Sequence, residues 1–342
     1  MILPRIITAF VGIPVIFVVI YTGGVPLLCF VMLISILSSW EYYMMMKLAG
    51  KDLDLISLLF GSVVFPLSFY FQGSFTQKGN LIPLVVSLSV ILPFTFEIFR
   101  ETRSIEKIGY TLIGMFFISF TFSHFILIRN IADHGRILMY LLFISVWICD
   151  TVAYIIGSLF GKRKLSSVSP KKTVEGFFAG FISCLLFYYV VSYFYSFLTP
   201  FKFLLLGFIS GIASQYSDLA ESLIKRACGV KDSSNLLPGH GGVFDRFDSF
   251  VFLAPFFDDF VVTGIAFSTN ISQGLEQIYR FKVRNVCVFD SNTRTEIKKI
   301  LPAHIKLFPP GVEGLIDLVE KVRADILVLS LTGSVGIFPC LL

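Results

Sequence analysis

The segment "SDLAESLIKRACGVKDSSNLLPGHGGVFDRFD", residues 217–248, concentrates the chain's chemistry-bearing side chains. Read as a helix, Asp218, Ser222 and Lys225 follow i, i+4, i+7 spacing and share one face. Glu221 and Lys225 stand i, i+4 and can simply pair. Arg226, Lys231 and Asp232 follow, and Pro238, Gly239, Gly241 and Gly242 then allow a tight turn and close approach to a ligand. Asp245 and Asp248 stand i, i+3 beyond it, with Arg246 between them. A second basic stretch, "FGKRKLSSVSPKKTVEG", is a topology signal or an anion site. Thr173 predicts an N-cap that lets Lys171, Lys172 and the first helical N–H groups converge. Glu175 reads as a first-turn charge suited to the dipole. Asp150, in "VWICDTVAY", sits mid-run among apolar residues and is a candidate because it cannot snorkel to water. Carboxylates from separate elements, without clustered Cys or His, suit a hard cation such as Mg²⁺. Lys and Arg beside such a cation equip a site for polyphosphate chemistry.

The elements that must position these groups are apolar helices. The chain has 342 residues, of which 55% are hydrophobic and 15% charged, with 39 Phe; soluble domains carry about 25% charge. Runs near the ~20 residues needed to cross a membrane fall at 6–23, 25–46, 54–73, 81–99, 108–128, 137–160, 174–198 and 201–224. A ninth run at 247–266 is interrupted by Asp258 and Asp259 and is read as a crossing. No small-residue cleavage site follows the first run, which reads as an uncleaved helix. The expectation is an all-α polytopic membrane protein of eight or nine transmembrane helices.

Basic residues mark every second connection: Arg5; Lys47 and Lys51; Arg100, Arg103 and Lys107; Lys162 to Lys172; and Lys225 to Arg246. The positive-inside rule places that side, and the N-terminus, in the cytoplasm. Glu41 and Glu97, late in their runs, can reach the same interface and read as structural. Six scattered Cys form no CxxC pair, so neither a zinc site nor a disulfide framework is expected. The pairs Gly157/Gly161, Gly176/Gly180 and Gly207/Gly211 predict close helix packing. A P-loop, a GxGxxG and inverted repeats of a transporter kind are absent from the sequence.

The stretch "SLIKRACGVKDSSNLLPGHGGVFDRFD", with "WICDTVAYIIGSLFGKRKLSSVSPKKTVEG" upstream, resembles the phosphatidate cytidylyltransferase (CDP-diacylglycerol synthase) family over residues 1–255. The resemblance implies a bacterial-type inner-membrane enzyme with its active site facing the cytoplasm. It implies CTP and phosphatidate as substrates, membrane lipid as surroundings and no nucleic acid, with a homodimer as a candidate assembly. Asp218 and Asp245 are implied as Mg²⁺ ligands, with a monovalent cation such as K⁺ able to share the site. Lys171, Lys172, Lys225, Arg226 and Lys231 are implied to hold phosphates. Asp150, Glu175, Asp232 and Asp248 complete the polar cavity, with Ser222 and Arg246 among the substrate contacts. His240 is open between donating to a phosphate and shaping its turn.

A family member is expected to end on one uninterrupted apolar helix after the Asp-Arg-Phe-Asp segment, and this chain departs from that. From residue 257 the pattern reads strand, helix, strand and a later strand. Residues 257–342 resemble part of the NADPH-binding domain of 1-deoxy-D-xylulose 5-phosphate reductoisomerase. The Gly-rich first βα turn that binds pyrophosphate in such units is missing, and "LTGSVG" near Thr332 stands at the wrong place to replace it. The expectation is a transmembrane cytidylyltransferase domain over 1–256 and a truncated, non-functional Rossmann-like fragment over 257–342.

Overall fold

The computed structural model describes residues 3–72, 81–131, 134–234, 236, 241–257, 264–280, 283–302 and 305–322. The chain divides into two compact units, Met1–Asp259 and Phe260–Leu342.

The first unit is helical. Helices α1 (Leu3–Thr22), α2 (Gly24–Leu48), α3 (Leu55–Tyr70) and α4 (Leu81–Ile98) lead into α5 (Ile105–Gly114). A π-helical turn, Met115–Phe120, joins α5 to α6 (Thr121–Asn130), and α7 (Gly135–Phe160), α8 (Val174–Phe194) and α9 (Pro200–Ala227) follow. Among the described residues six helical stretches are long and apolar enough to cross a membrane: α2, α4, Ile105–Asn130, α7, α8 and α9. α1 and α3 correspond to two further expected crossings, and α3 has 16 residues. The protein is an integral membrane protein.

Local sequence sets the helix starts. Asp54, Ser104, Thr173 and Thr199 stand in extended conformation and accept from the N–H of the residue three positions on, giving each first turn an acceptor. Helices α7, α8 and α9 pack closely because glycines face backbone. A Cβ at Gly180 would meet the Cys149 carbonyl at 3.0 Å, and one at Gly211 the Phe181 Cα at 3.0 Å. The core is aromatic and sits where α2, α3, the π-helical turn, α6 and α7 meet, with Phe65, Phe122, Phe125 and Phe143 at 2% exposure or less. Within it the hydroxyls of Ser39, Ser62 and Ser119 bond one another across three elements.

Among the described residues of 247–266 the expected ninth crossing helix is not formed. Residues Phe244–Phe247 make a short helix, α10, followed by 3-10 turns at Asp248–Phe250 and Ala254–Phe257; Gly264–Phe267 is a strand. Phe250, Val251, Leu253 and Ala254 are buried in the first unit's core. Apolarity here buries a short irregular stretch against protein, and Pro255 removes a donor that a continuing helix would need. Asp258 and Asp259 lie outside the described residues.

In the second unit, β1 (Gly264–Phe267), β2 (Asn285–Val288) and β3 (Lys306–Leu307) form a parallel sheet in that order. α11 (Ile271–Arg280) and α12 (Ser291–Ile297) pack with Val286 and Val288, while α13 (Gly311–Val322) packs with Cys287. Alternate β2 side chains therefore serve opposite faces, the period of a strand buried on both sides. The expected later strand and "LTGSVG" lie outside the described residues.

Candidate active site

Helix α9 is longer than a membrane crossing requires. Its 28 residues span roughly 42 Å at about 1.5 Å per residue, against a hydrocarbon core of about 30 Å. Its last turns, carrying Asp218, Glu221, Ser222, Lys225 and Arg226, thus have length to emerge. Gly229, at φ 71°, ends the helix, its N–H reaching the Arg226 carbonyl and the Val230 N–H reaching Lys225. The basic connections gather at this end. Lys51 Nζ donates to the Ala227 carbonyl at 3.0 Å, and Arg226 donates to Val168 and Val230. Arg129 instead holds the far end of α1, donating to the Ile20 carbonyl at 2.7 Å.

Three carboxylates converge. One oxygen from each of Asp218, Glu221 and Asp248 lies within 4.8 Å of the others. Helical spacing brings Asp218 and Glu221 together, whereas Asp248 arrives on the 3-10 turn after α10. The Ser217 hydroxyl locks that turn to α9, donating to the Asp248 carbonyl and accepting the Phe252 N–H. Asp150 of α7 joins from the side, 3.4 Å from the Ser249 hydroxyl. Ser222 donates to Asp218 at 3.4 Å.

Two lysines answer this charge. Lys172 pairs with Asp218, and Lys225 Nζ lies 2.5 Å from Glu221 and 2.7 Å from Asp245. Glu221 is fully buried, and among the described residues neither of its oxygens accepts a hydrogen bond beyond that lysine contact. A buried carboxylate short of donors beside two more carboxylates fits a hard cation.

Asp245, expected as a metal ligand, stands outside the triplet. One oxygen takes Lys225; the other accepts from the Ser233 N–H, the Ser233 hydroxyl and the Gly242 N–H. Burial opposes its ionisation, yet Lys225 and the Gly242 N–H outweigh burial and hold its carboxyl below the usual range. Asp248 shows the reverse. It keeps some exposed surface, but loss of water contact pushes its carboxyl well above the usual range, and the charges of Asp218 and Asp150 push the same way.

The basic stretch folds into a hairpin. Lys164 bridges Thr173, the Leu165 N–H reaches the Lys172 carbonyl, and the Val174 N–H reaches Arg163. Glu175 accepts the N–H groups of Lys162 and Arg163, so it closes the hairpin. Lys171, Lys231, Asp232 and Arg246 are exposed. Pro238, Gly239 and His240 lie outside the described residues.

Residues 3–263 match the model of the cytidylyltransferase family. The chain belongs to the cytidylyltransferase family. Phosphatidate cytidylyltransferase of Bacillus subtilis (strain 168) is 33% identical over 260 residues, covering 74% of this chain and 94% of the relative. The proteins of the same name from Staphylococcus haemolyticus (strain JCSC1435) and Staphylococcus aureus (strain COL) are 34% and 31% identical. Each alignment covers 73% of this chain and 95% of the relative. Residues 251–342 match the model of 1-deoxy-D-xylulose 5-phosphate reductoisomerase.

Two residues of this candidate site are not singled out for it by the sequence. Glu221 reads as an ion-pair partner of Lys225, yet it is also the third member of the carboxylate triplet; its i+3 spacing from Asp218 is the signal. Glu41 reads as structural at a helix end. It is 2% exposed and its carboxylate bonds the loop that leads into α10 and Asp245, a contact across about 200 residues that no local pattern announces.

Proposed function

We propose that the chain transfers the CMP unit of CTP to phosphatidate, giving CDP-diacylglycerol and pyrophosphate. The observation that carries this reading is the carboxylate triplet flanked by Lys172 and Lys225 at the end of a membrane-length helix. The names of the relatives supply the substrates. A phosphatidate oxygen attacks the α-phosphorus of CTP, the bond to the β-phosphate oxygen breaks, and pyrophosphate leaves with that electron pair. The attacking oxygen is already anionic, so no strong general base is needed.

Asp218, Glu221 and Asp248 would hold Mg²⁺, with K⁺ as a second cation in the same cluster. Bound there, Mg²⁺ would offset the repulsion between the two anionic reactants. Asp245, its oxygens already engaged by Lys225, Ser233 and Gly242, would act as a positioning residue and not as a metal ligand. Lys172, immediately before the N-cap Thr173 of α8, is suited to a phosphate once Asp218 turns to the cation. Lys171, Arg226, Lys231 and Arg246 supply further positive charge, and Asp150 and Asp232 bound the polar cavity.

The clustering of basic connections at this end supports a cytoplasm-facing site in a bacterial inner membrane. The exposed apolar faces of α7 and α8 suit lipid and would equally accept a second copy of the chain. In the same reading, residues 257–342 carry no reductoisomerase activity. The turn between β1 and α11 is Ser268-Thr269-Asn270, without the glycines that admit a pyrophosphate. The deciding experiment is pyrophosphate release by purified protein in mixed micelles. Release must require both CTP and phosphatidate; release without phosphatidate, or none at all, sinks the reading.

A further inference from the structure

Glu41 lies in the last two turns of α2, 2% exposed, and among the described residues no Lys or Arg pairs with it. A buried carboxylate persists only where donors replace water. Here they come from both ends of one loop. Oε1 accepts the Ser234 hydroxyl at 2.6 Å and the Val243 N–H at 2.9 Å. Oε2 accepts the Phe244 N–H at 2.8 Å. The Ser233 hydroxyl stands 3.1 Å from Oε2 and 2.8 Å from Asp245, so its single proton serves one carboxylate at a time.

The loop is shaped to this contact. A Cβ on Gly242 would lie 2.7 Å from Cδ of Glu41, and one on Gly241, at φ 79°, would lie 2.6 Å from an Asp245 oxygen. Glu41 therefore fixes Val243 and Phe244, the residues immediately before Asp245 and on the short path to Asp248. Apolar packing holds the same segment independently, through Phe247 against Phe30 and Phe122.

We propose that Glu41 is a positioning residue of the transfer reaction, a buried anionic staple that closes the 233–244 loop and so sets where Asp245 and Asp248 stand. Its kinetic readout rests on the reaction proposed above; its effect on the loop does not. A neutral isostere cannot replace it. Gln offers one oxygen and one NH₂ group, so part of the donor set would face another donor.

The test compares Glu41→Gln, Ser234→Ala and their double variant with wild type, using Glu97→Gln as control. Glu97 is a 5%-exposed carboxylate that bonds Ser104 and Arg100, neither of which belongs to the carboxylate cluster. Each protein is assayed for kcat, for KM of CTP, and for the rate of limited tryptic cleavage after exposed Lys231. For Glu41→Gln, kcat is expected to fall by about 100-fold with KM for CTP changed less than about 3-fold, since both Glu41 oxygens are taken up by the loop. Cleavage after Lys231 is expected to quicken about 10-fold. Ser234→Ala is expected to add little on top of Glu41→Gln, because both act through one contact. Glu97→Gln is expected to keep wild-type kcat and cleavage.

A kcat within about 3-fold of wild type, unchanged cleavage, or fully multiplicative single-variant effects overturns the proposal. So does an equal loss in Glu97→Gln, which would make the effect general to buried carboxylates. If wild type itself shows no transfer, the reaction reading fails. The cleavage rates and their coupling still decide whether Glu41 closes the loop.

Discussion

Replacing Lys225 by Met removes a charge while keeping most of the side chain's volume, and the structure sets the consequence. The ammonium lies 2.5 Å from Glu221 and 2.7 Å from Asp245, and the three side chains are 10%, 0% and 6% exposed. Asp218 and Asp248 stand beside Glu221. Without the lysine, four carboxylates remain, answered by Lys172 alone among the paired lysines described. Breaking a buried pair from one side costs about 3–5 kcal/mol, mostly from the charge left behind. The loss is not doubled by the second partner, because one carboxyl can take up a proton. A change of that size lowers the melting midpoint by on the order of 10 °C. On the function proposed above, a divalent cation would restore part of it, because a cation held by the folded cluster would supply the missing charge. The assay is thermal unfolding in detergent with and without Mg²⁺, run beside pyrophosphate release. A Lys225→Met protein that melts within about 2 °C of wild type and keeps more than a third of its activity would refute the reasoning. It would mean the carboxylates relax apart without the lysine.

Three further outcomes are expected. Asp218→Asn, Glu221→Gln and Asp248→Asn should each weaken Mn²⁺ binding, read by electron paramagnetic resonance, by about 10-fold or more, since an amide carries no charge to hold the ion. Asp245→Asn should lose activity but keep that binding, and loss of Mn²⁺ in this variant would return Asp245 to the ligand set. Lys172→Ala should raise KM for CTP or phosphatidate by about 10-fold and Lys162→Ala by less than about 2-fold. Lys172 pairs with Asp218, whereas Lys162 is exposed, and equal small effects would leave the hairpin a topology signal. Ending the chain after Asn270 should leave transfer activity intact, and the full chain should show no saturable NADPH binding in titration. Loss of activity with normal membrane insertion would make the second unit part of the working enzyme.

Much of this protein is set by local composition. A run of apolar residues without water must satisfy its own backbone, so the helices form where the runs are long enough. Thr173 caps α8, and Asp218, Glu221, Ser222 and Lys225 share a face of α9, because capping and helical spacing reach only four residues. The strand–helix–strand order of the second unit follows from the same short-range periods. What local rules could not decide was where an apolar run goes once protein, rather than lipid, is there to cover it. The 247–257 stretch is apolar enough to suggest a crossing, yet it folds into short turns against α9 and the aromatic core. That return brings Asp248 to Asp218 and Glu221, and it leaves Asp245 bound by Lys225, Ser233 and Gly242. Glu41 meets its loop from about 200 residues away, and Lys172 meets Asp218 from a separate helix start. Such pairings depend on which helices pack side by side, and the energy that decides this is spread over many apolar contacts, while the polar partners register only its result.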